Sequence, residues 1–463
     1  MSQTVTLSRA LVRQWKALSW SALPADVRHQ GMRHVIDAIG VGLAASTMPQ
    51  GAPYERYAQG LAAGPSLLLN GMGGKAMADA ALLNGGLIHS LEYDDTHTAS
   101  IVHGSAVLCA TSLAVAQAQN LSPVAMLCAT IKAYEILIRM GLAGQGGFQK
   151  HGFQITSVAG TLVAALLACD LMGGDEEACV HAIGIALSQS SGVFEFLTNG
   201  STIKSFHPGW AAHAGVVAAT MACAGLKGPE TAIEGTRGLY QAFARDAEAA
   251  SRLSRLMDDF GSVWHISALA VKLVPSCHYL HGFVEIADEV MQVVGDPARI
   301  QWIDLQIAEA TAPIVCEPWA DKQNPPTGHA IRWSLPVLVA MKLIEGEVGL
   351  QSFVEPPSAP VLALAQKMSW SKLDPHHFPT RFEARMLVTL VDGQQITAYR
   401  PDVWGNASRP VGDDVLFDKF RTNARHAVSD AQVENILKFW LSYDTAEDFK
   451  ALSDAMTNNS KGL

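Results

Sequence analysis

The sequence predicts a mainly α-helical protein of two domains: a large all-helical domain built from both chain ends, and a smaller α+β domain inserted between them. Three observations carry that expectation. The chain has 463 residues, of which 49% are apolar, and a single core stops growing at roughly 250–300 residues. Up to about Trp264 the text is a succession of Ala-rich helical segments punctuated by Gly and Pro. After Lys272, strand-like alternation enters, and it gives way to helical patterning again beyond residue 402. The boundaries read from this texture are 1–267 with 403–463 for the helical domain and 268–402 for the insertion.

Taken in order, "RHVIDAIGVGLAAS", "ADAALLNGGLIHSL", "AVLCATSLAVAQAQ", "SPVAMLCATIKAYEILIRMGLA" and "TSVAGTLVAALLACDLMGG" each predict a helix. Several are rich in small residues on every side, the pattern of helices buried within a larger bundle. Ser122-Pro123 opens one helix, and "MGGDEEA" closes one and starts the next. In the insertion, "RIQWIDLQIAEA" alternates from Ile300 to Ile307 and predicts a strand. "FEARMLVTLVDGQQITAYR" carries Asp392-Gly393 between two β-rich runs, the signal of a two-residue hairpin. "RWSLPVLVAMKLIEGEV" and "APVLALAQKM" predict helices between these strands. The tail "DAQVENILKFWLSYDT" predicts a helix that docks back on the first domain.

Composition excludes several classes. A net charge of −10 and an isoelectric point near 5.9 argue against a nucleic-acid surface, although a local field can still favour a small anion. The seven cysteines (109, 128, 169, 179, 223, 277, 316) are odd in number and contain no C-x-x-C. That pattern fits a reducing compartment better than a disulfide framework, and it disfavours an iron–sulfur cluster. The N-terminal "MSQTVTLSRALVRQWKALSW" does not have the form of a secretory signal. The richest apolar run, Val158–Cys169, ends at Asp170, short of the ~18–20 residues of a membrane span. A soluble, cytoplasmic protein with no membrane partner is expected.

Four clusters carry candidate chemistry. In "LEYDDTHTASIVHGSA", Glu92, Asp94, Asp95, His97 and His103 crowd together in a chain with only 16% charged residues, and His89 stands just ahead. The histidines fall eight and six residues apart, unlike the short spacing of a metal site on one helix face. A plainer reading has the acids capping the following helix and the histidines satisfied as polar groups. "HGFQITS" places Gln154 before a buried helix that Thr156 or Ser157 could cap, and "GSTIKSFHPGWAAHAG" places Lys204 and His207 in a loop. "VKLVPSCHYLHG" gathers Lys272, Cys277, His278 and His281 at the presumed domain boundary, where small-molecule sites are common. "NGMGGKA" has Ala76 after Lys75 and is no P-loop, and "GIALSQSSG" is no dinucleotide fingerprint.

The ordered set "NGGLIHSLEYDDTH", "HGSAVLCATSLAVA", "GFQITSVAGTLVAA", "LTNGSTIKSFHPGWAAHAG", "VPSCHYLHG" and "CEPWADK" resembles the MmgE/PrpD family. That family includes 2-methylcitrate dehydratase, cis-aconitate decarboxylase and iminodisuccinate epimerase, and the resemblance covers about residues 5–445. It implies a helical domain with an α+β lid, a homodimer, and no metal or cofactor. It also implies a small di- or tricarboxylate substrate. By resemblance His103 matches the family's active-site histidine, Asp95 and Thr96 its D-T pair, Lys204 and His207 its K-x-x-H element, and Lys272 a lysine at the lid boundary. Glu92 stands where the family commonly has Asp. Gln154 replaces the histidine of a "GFHPT"-like motif, and Cys277 replaces a histidine of cis-aconitate decarboxylases, as in "PSC" of iminodisuccinate epimerases.

These residues suggest a division of labour. Negative charge that develops beside a carboxylate needs fixed cations, a role for Lys204 and Lys272. His103 serves as acid or base, and Cys277 could oppose it if Lys272 and His278 lower its pKa. Glu92, Asp95, Thr96, Gln154, His207 and His278 line the substrate site, with the acidic side chains orienting His103 and the lysines. The expected function is a cofactor-free hydro-lyase like 2-methylcitrate dehydratase. An epimerase working by two-base proton transfer is the first alternative, a cis-aconitate-type decarboxylase the second, and a non-catalytic carboxylate-binding member the third.

Overall fold

The computed structural model describes residues 5–198 and 201–457. It is mainly helical, with 59% helix against 9% strand, so the helical texture of the sequence dominates the molecule. Two compact units are present: residues 1–90, 94–269 and 412–463 in one, and residues 91–93 and 270–411 in the other. No helix among the described residues is long and apolar enough to cross a membrane.

In the first unit the long helices Ala25–Ser46, Met77–His89, Gly104–Ala118, Pro123–Gly144, Ile155–Leu171 and Phe206–Cys223 pack on one another. Their buried faces are rich in Ala and Gly, so backbones approach closely. A methyl added at Gly85 would stand 2.7 Å from the Ala106 carbonyl oxygen and 2.8 Å from the Gly209 Cα. Three helices thus meet where only glycine fits. Ser122 caps Pro123–Gly144 by accepting from the Ala125 N–H, and Asp175 caps Glu176–Leu187 through Ala178, as the sequence predicts. The helix Asp413–Ala424 lies against Ala25–Ser46, and the buried ion pair Lys419–Asp37 (2.7 Å) joins them.

The all-helical expectation for this region needs two corrections, of which the briefer is the two-residue strand Thr96–His97. Ala63–Leu67 and Gly74–Lys75 form a short antiparallel pair. Its sequence "AGPSL" lacks period-two alternation because the strand is brief and buries only its end, Ser66 and Leu67, so no pattern marks it.

In the second unit a four-stranded sheet runs Met368–Lys372, Ile300–Ile307, Ala384–Leu390, Gln395–Arg400. The first pair is parallel and the other two antiparallel. The helices His281–Val294 and Leu335–Glu345 share its core of Phe283, Ile286, Ile303, Leu305, Leu338 and Met386. Two expectations are corrected here. "APVLALAQKM" is helical only over Ala359–Ala365, and Met368 already begins an unpredicted strand. That strand, "MSWSK", is largely polar and gains its place from pairing with Ile303–Ile307. The hairpin closes with three loop residues rather than two. Leu390 N–H bonds to Gln394 O, Gly393 N–H bonds to Leu390 O, and Gly393 takes φ +85°. This is a type I turn followed by a left-handed residue, which places the glycine third in the loop.

Candidate active site

Four helix ends converge in the first unit. His89 ends Met77–His89, His103 precedes Gly104–Ala118, Gln154 precedes Ile155–Leu171, and Ser205-Phe206 starts the helix carrying His207. Direct bonds tie these ends together. The His103 N–H donates to Thr156 Oγ1 (3.0 Å), Ser157 Oγ donates to the His207 carbonyl (3.0 Å), and His207 Nδ1 lies 2.7 Å from Gln154 Oε1. The Thr156 and Ser157 hydroxyls therefore link helices instead of capping their own, contrary to the plain reading of "HGFQITS". Three of the four ends are N-termini, whose backbone N–H groups and dipoles favour a negative charge.

Each imidazole is held through Nδ1. His103 Nδ1 lies 3.0 Å from the Asp95 carbonyl oxygen and 3.0 Å from Thr96 Oγ1. A carbonyl only accepts, so Nδ1 carries the proton and neutral His103 keeps its lone pair on Nε2. His89 Nδ1 is 2.8 Å from Asp94 Oδ2, and the His89 and His103 rings lie 5.1 Å apart. Burial, reinforced by His89 and Lys204, pulls the His207 pKa down to about 4. Lys204 thus stands within electrostatic reach of His207, and the structure brings His103, His89, His207, Gln154 and Lys204 into one neighbourhood. Gln154 is 4% exposed, and its Nε2 has no hydrogen-bond partner among the described residues. Asn199 and Gly200 of the Lys204 loop motif lie outside those residues.

The acidic cluster divides its work differently from expectation. Asp95 is buried, and its carboxylate accepts from Tyr134 Oη (2.6 Å) and from the Ser105 N–H (3.0 Å) and faces His34 Nδ1 at 3.3 Å. These donors hold its carboxyl below the usual range against the effect of burial. The expectation that this carboxylate orients His103 is corrected: the Asp95 backbone carbonyl does so, while the side chain caps Gly104–Ala118. The plain capping reading holds for Asp95, and Asp94 holds His89, a histidine outside the orienting expectation. His97 turns to a structural task. Its Nδ1 binds Ser100 Oγ (2.8 Å), its backbone bridges Val102, and burial lowers its pKa to about 3.

The second unit holds a separate cationic group. Glu92 adopts φ +53°, a left-handed conformation costing roughly 1–2 kcal/mol for a residue with a Cβ. Lys272 Nζ donates to the Glu92 carbonyl (3.0 Å) and lies 3.9 Å from Glu92 Oε2. Arg332 Nη1 donates to the preceding carbonyl of Leu91 (2.5 Å) and to that of Pro275. Two buried cations therefore pin the strained segment. Burial draws the Arg332 pKa down to about 9, with Glu92 opposing the shift. The half-buried Cys277 donates its N–H to the Arg332 carbonyl (2.9 Å). Lys322, bonded to the Ile314 carbonyl (2.7 Å), has its pKa lowered by burial and partly restored by Cys277. His278 packs against the His281 and Phe382 rings at 4.7 and 5.0 Å.

Sequence reasoning missed Arg332 and Lys322. Lys322 stands in "CEPWADK", which was legible as a motif, whereas Arg332 opens a helical segment with nothing to mark it.

Comparison with known families decides the assignment. Residues 9–252 match the MmgE/PrpD N-terminal domain and residues 274–443 the MmgE/PrpD C-terminal domain. The chain belongs to the MmgE/PrpD family. It is similar to a cis-aconitate decarboxylase of Aspergillus terreus, at 22% identity over 95% of this chain and 93% of that protein. The cis-aconitate decarboxylases of Mus musculus and Homo sapiens are 26% and 25% identical, over 81% and 82% of this chain and 77% and 79% of theirs. The whole acidic cluster and the Lys204 loop fall in the N-terminal match, and the Cys277 segment in the C-terminal one.

Proposed function

We propose that this MmgE/PrpD protein is a cofactor-independent lyase, of the hydro-lyase kind, acting next to a carboxylate of a small di- or tricarboxylate. The observation that carries this reading is the anchoring of His103 Nδ1 on a backbone carbonyl, which makes Nε2 the basic nitrogen of a neutral imidazole. In the proposed reaction His103 Nε2 removes a proton from the carbon beside the carboxylate. The electron pair enters that carboxylate as an enolate, and Lys204 stabilises the charge. It then forms the alkene as the C–O bond to the β-hydroxyl breaks, and the imidazolium returns the proton so that water leaves.

The helix N-termini and the unpartnered Gln154 Nε2 suit a second carboxylate of the same substrate. Thr96 and the low-pKa His207 keep the wall polar and neutral. Lys272, with Glu92 as its anchor, is assigned to carboxylate binding, and Cys277 and His278 to substrate contacts in the second unit. The lid role of that unit, homodimer assembly and a cytoplasmic setting belong to the same proposal.

Cis-aconitate-type decarboxylation is a second reading, favoured by the names of the relatives. One experiment separates the outcomes. Methylcitrate, citrate, cis-aconitate and iminodisuccinate are incubated with the enzyme in D2O and followed by NMR. Alkene formation from a hydroxy acid is expected. Release of CO2 from cis-aconitate alone would establish the second reading, and deuterium uptake without an alkene would establish an epimerase.

A further inference from the structure

Three of the seven cysteines, dispersed in sequence, come together at the far end of the two helices that carry Gln154 and His207. The helices Ile155–Leu171 and Phe206–Cys223 run parallel: Gln154 and His207 meet at one end, and Cys169 Sγ lies 3.7 Å from Cys223 Sγ at the other. Cys169 is buried, whereas Cys223 is exposed and is the last residue of its helix. Cys179 Sγ contacts the Gly174 carbonyl at 3.8 Å, and a methyl added at Gly174 would stand 2.4 Å from Cys169 Sγ, so both sulfurs border this glycine. Lys16 Nζ donates to that same Gly174 carbonyl (2.9 Å) and to Asp170 (2.9 Å), which brings an ammonium beside the thiols.

We propose that Cys223 and Cys169 form a site of reversible two-electron oxidation by hydroperoxides. The geometry supplies each requirement. An oxidant reaches Cys223 from solvent. Its resolving partner is already in van der Waals contact, and a disulfide of about 2.05 Å requires a modest approach. The end of a helix followed by Ala224-Gly225 can supply that movement. The Lys16 ammonium, seated on the Gly174 carbonyl and Asp170, favours negative charge on sulfur during the exchange.

The steps balance. The Cys223 thiolate attacks one oxygen of the hydroperoxide and breaks the O–O bond. It becomes a sulfenic acid, and the alkoxide or hydroxide leaves with the proton shed by Cys223. Cys169 attacks the Cys223 sulfur as its S–H bond breaks. The S–O bond breaks in turn, and hydroxide departs as water with the proton that Cys169 sheds. Two thiols are oxidised to one disulfide while one peroxide is reduced.

The test treats the reduced, folded protein with hydrogen peroxide, blocks residual thiols with iodoacetamide and maps peptides by mass spectrometry. Trypsin places Cys169 and Cys179 together in residues 151–204 and Cys223 in 205–227. These two peptides are expected as one linked species, two hydrogens lighter than their sum, that dithiothreitol separates. Cleavage at Glu176 and Glu177 should assign the link to Cys169. The link should be absent from C169S and C223S proteins whose circular dichroism is unchanged. Separate peptides with Cys223 as sulfinic acid, or a link that maps to Cys179, would overturn the proposal.

Discussion

Two buried clusters, one in each unit, hold their charge by different means. In the first, side chain answers side chain: Asp94 holds His89, Asp95 binds Tyr134 and faces His34, and Lys419 pairs with Asp37. In the second, cations are seated on backbone carbonyls, Lys272 on Glu92 and Arg332 on Leu91 and Pro275. The contrast teaches where a substitution will be felt. Changes in the first unit alter protonation and proton transfer, and changes in the second alter the path of the chain.

The comparison breaks most visibly at His103. His103→Asn should lower kcat by about 10²–10⁴-fold with little change in the urea midpoint, because the amide can donate to the Asp95 carbonyl in place of Nδ1 and the backbone bond to Thr156 is kept. A matching loss of stability would show that the ring is structural. Arg332→Met leaves two carbonyls and the strained Glu92 segment unsupported, so unfolding free energy should fall by about 3 kcal/mol, read by urea denaturation. Asp95→Asn should cost about 2 kcal/mol, because its amide cannot accept from both Tyr134 and Ser105 as the carboxylate does.

Acid should act through the first unit. His97 and His207 have folded pKa values near 3 and 4, below the unfolded value of about 6.5. The unfolded chain therefore binds protons first, and their contribution, complete above pH 6.5, is lost as pH falls through 4 toward 3. His207→Gln should flatten that acid limb in a stability–pH series. The smallest effect belongs to the second unit's hairpin: Gly393→Ala, at φ +85°, should cost about 1 kcal/mol.

Much of this was legible in the sequence where a local pattern was under a local constraint. The strand Ile300–Ile307, the Ser122 cap and the helix Asp430–Leu441 follow from periodicity and capping chemistry. The strand Met368–Lys372 was not legible, since its pairing partner lies more than sixty residues away and its own residues are polar. At the site, the chemistry-bearing residues were visible as types in motifs, but their partners were not. Nothing in the sequence says that the Asp95 carbonyl rather than its carboxylate holds His103. Nor does anything mark Arg332 as the support of Glu92. The cysteine trio shows the same limit, because spacing along the chain concealed a contact made by helix packing.

The account turns on a neutral His103 whose lone pair is on Nε2. Long-range ¹H–¹⁵N NMR of histidine-labelled enzyme near pH 7, with His103 assigned by its absence from the His103→Asn spectrum, reads this directly. A protonated Nδ1 and an unprotonated Nε2 are expected. A His103 signal carrying its proton on Nε2 would contradict the proposed base.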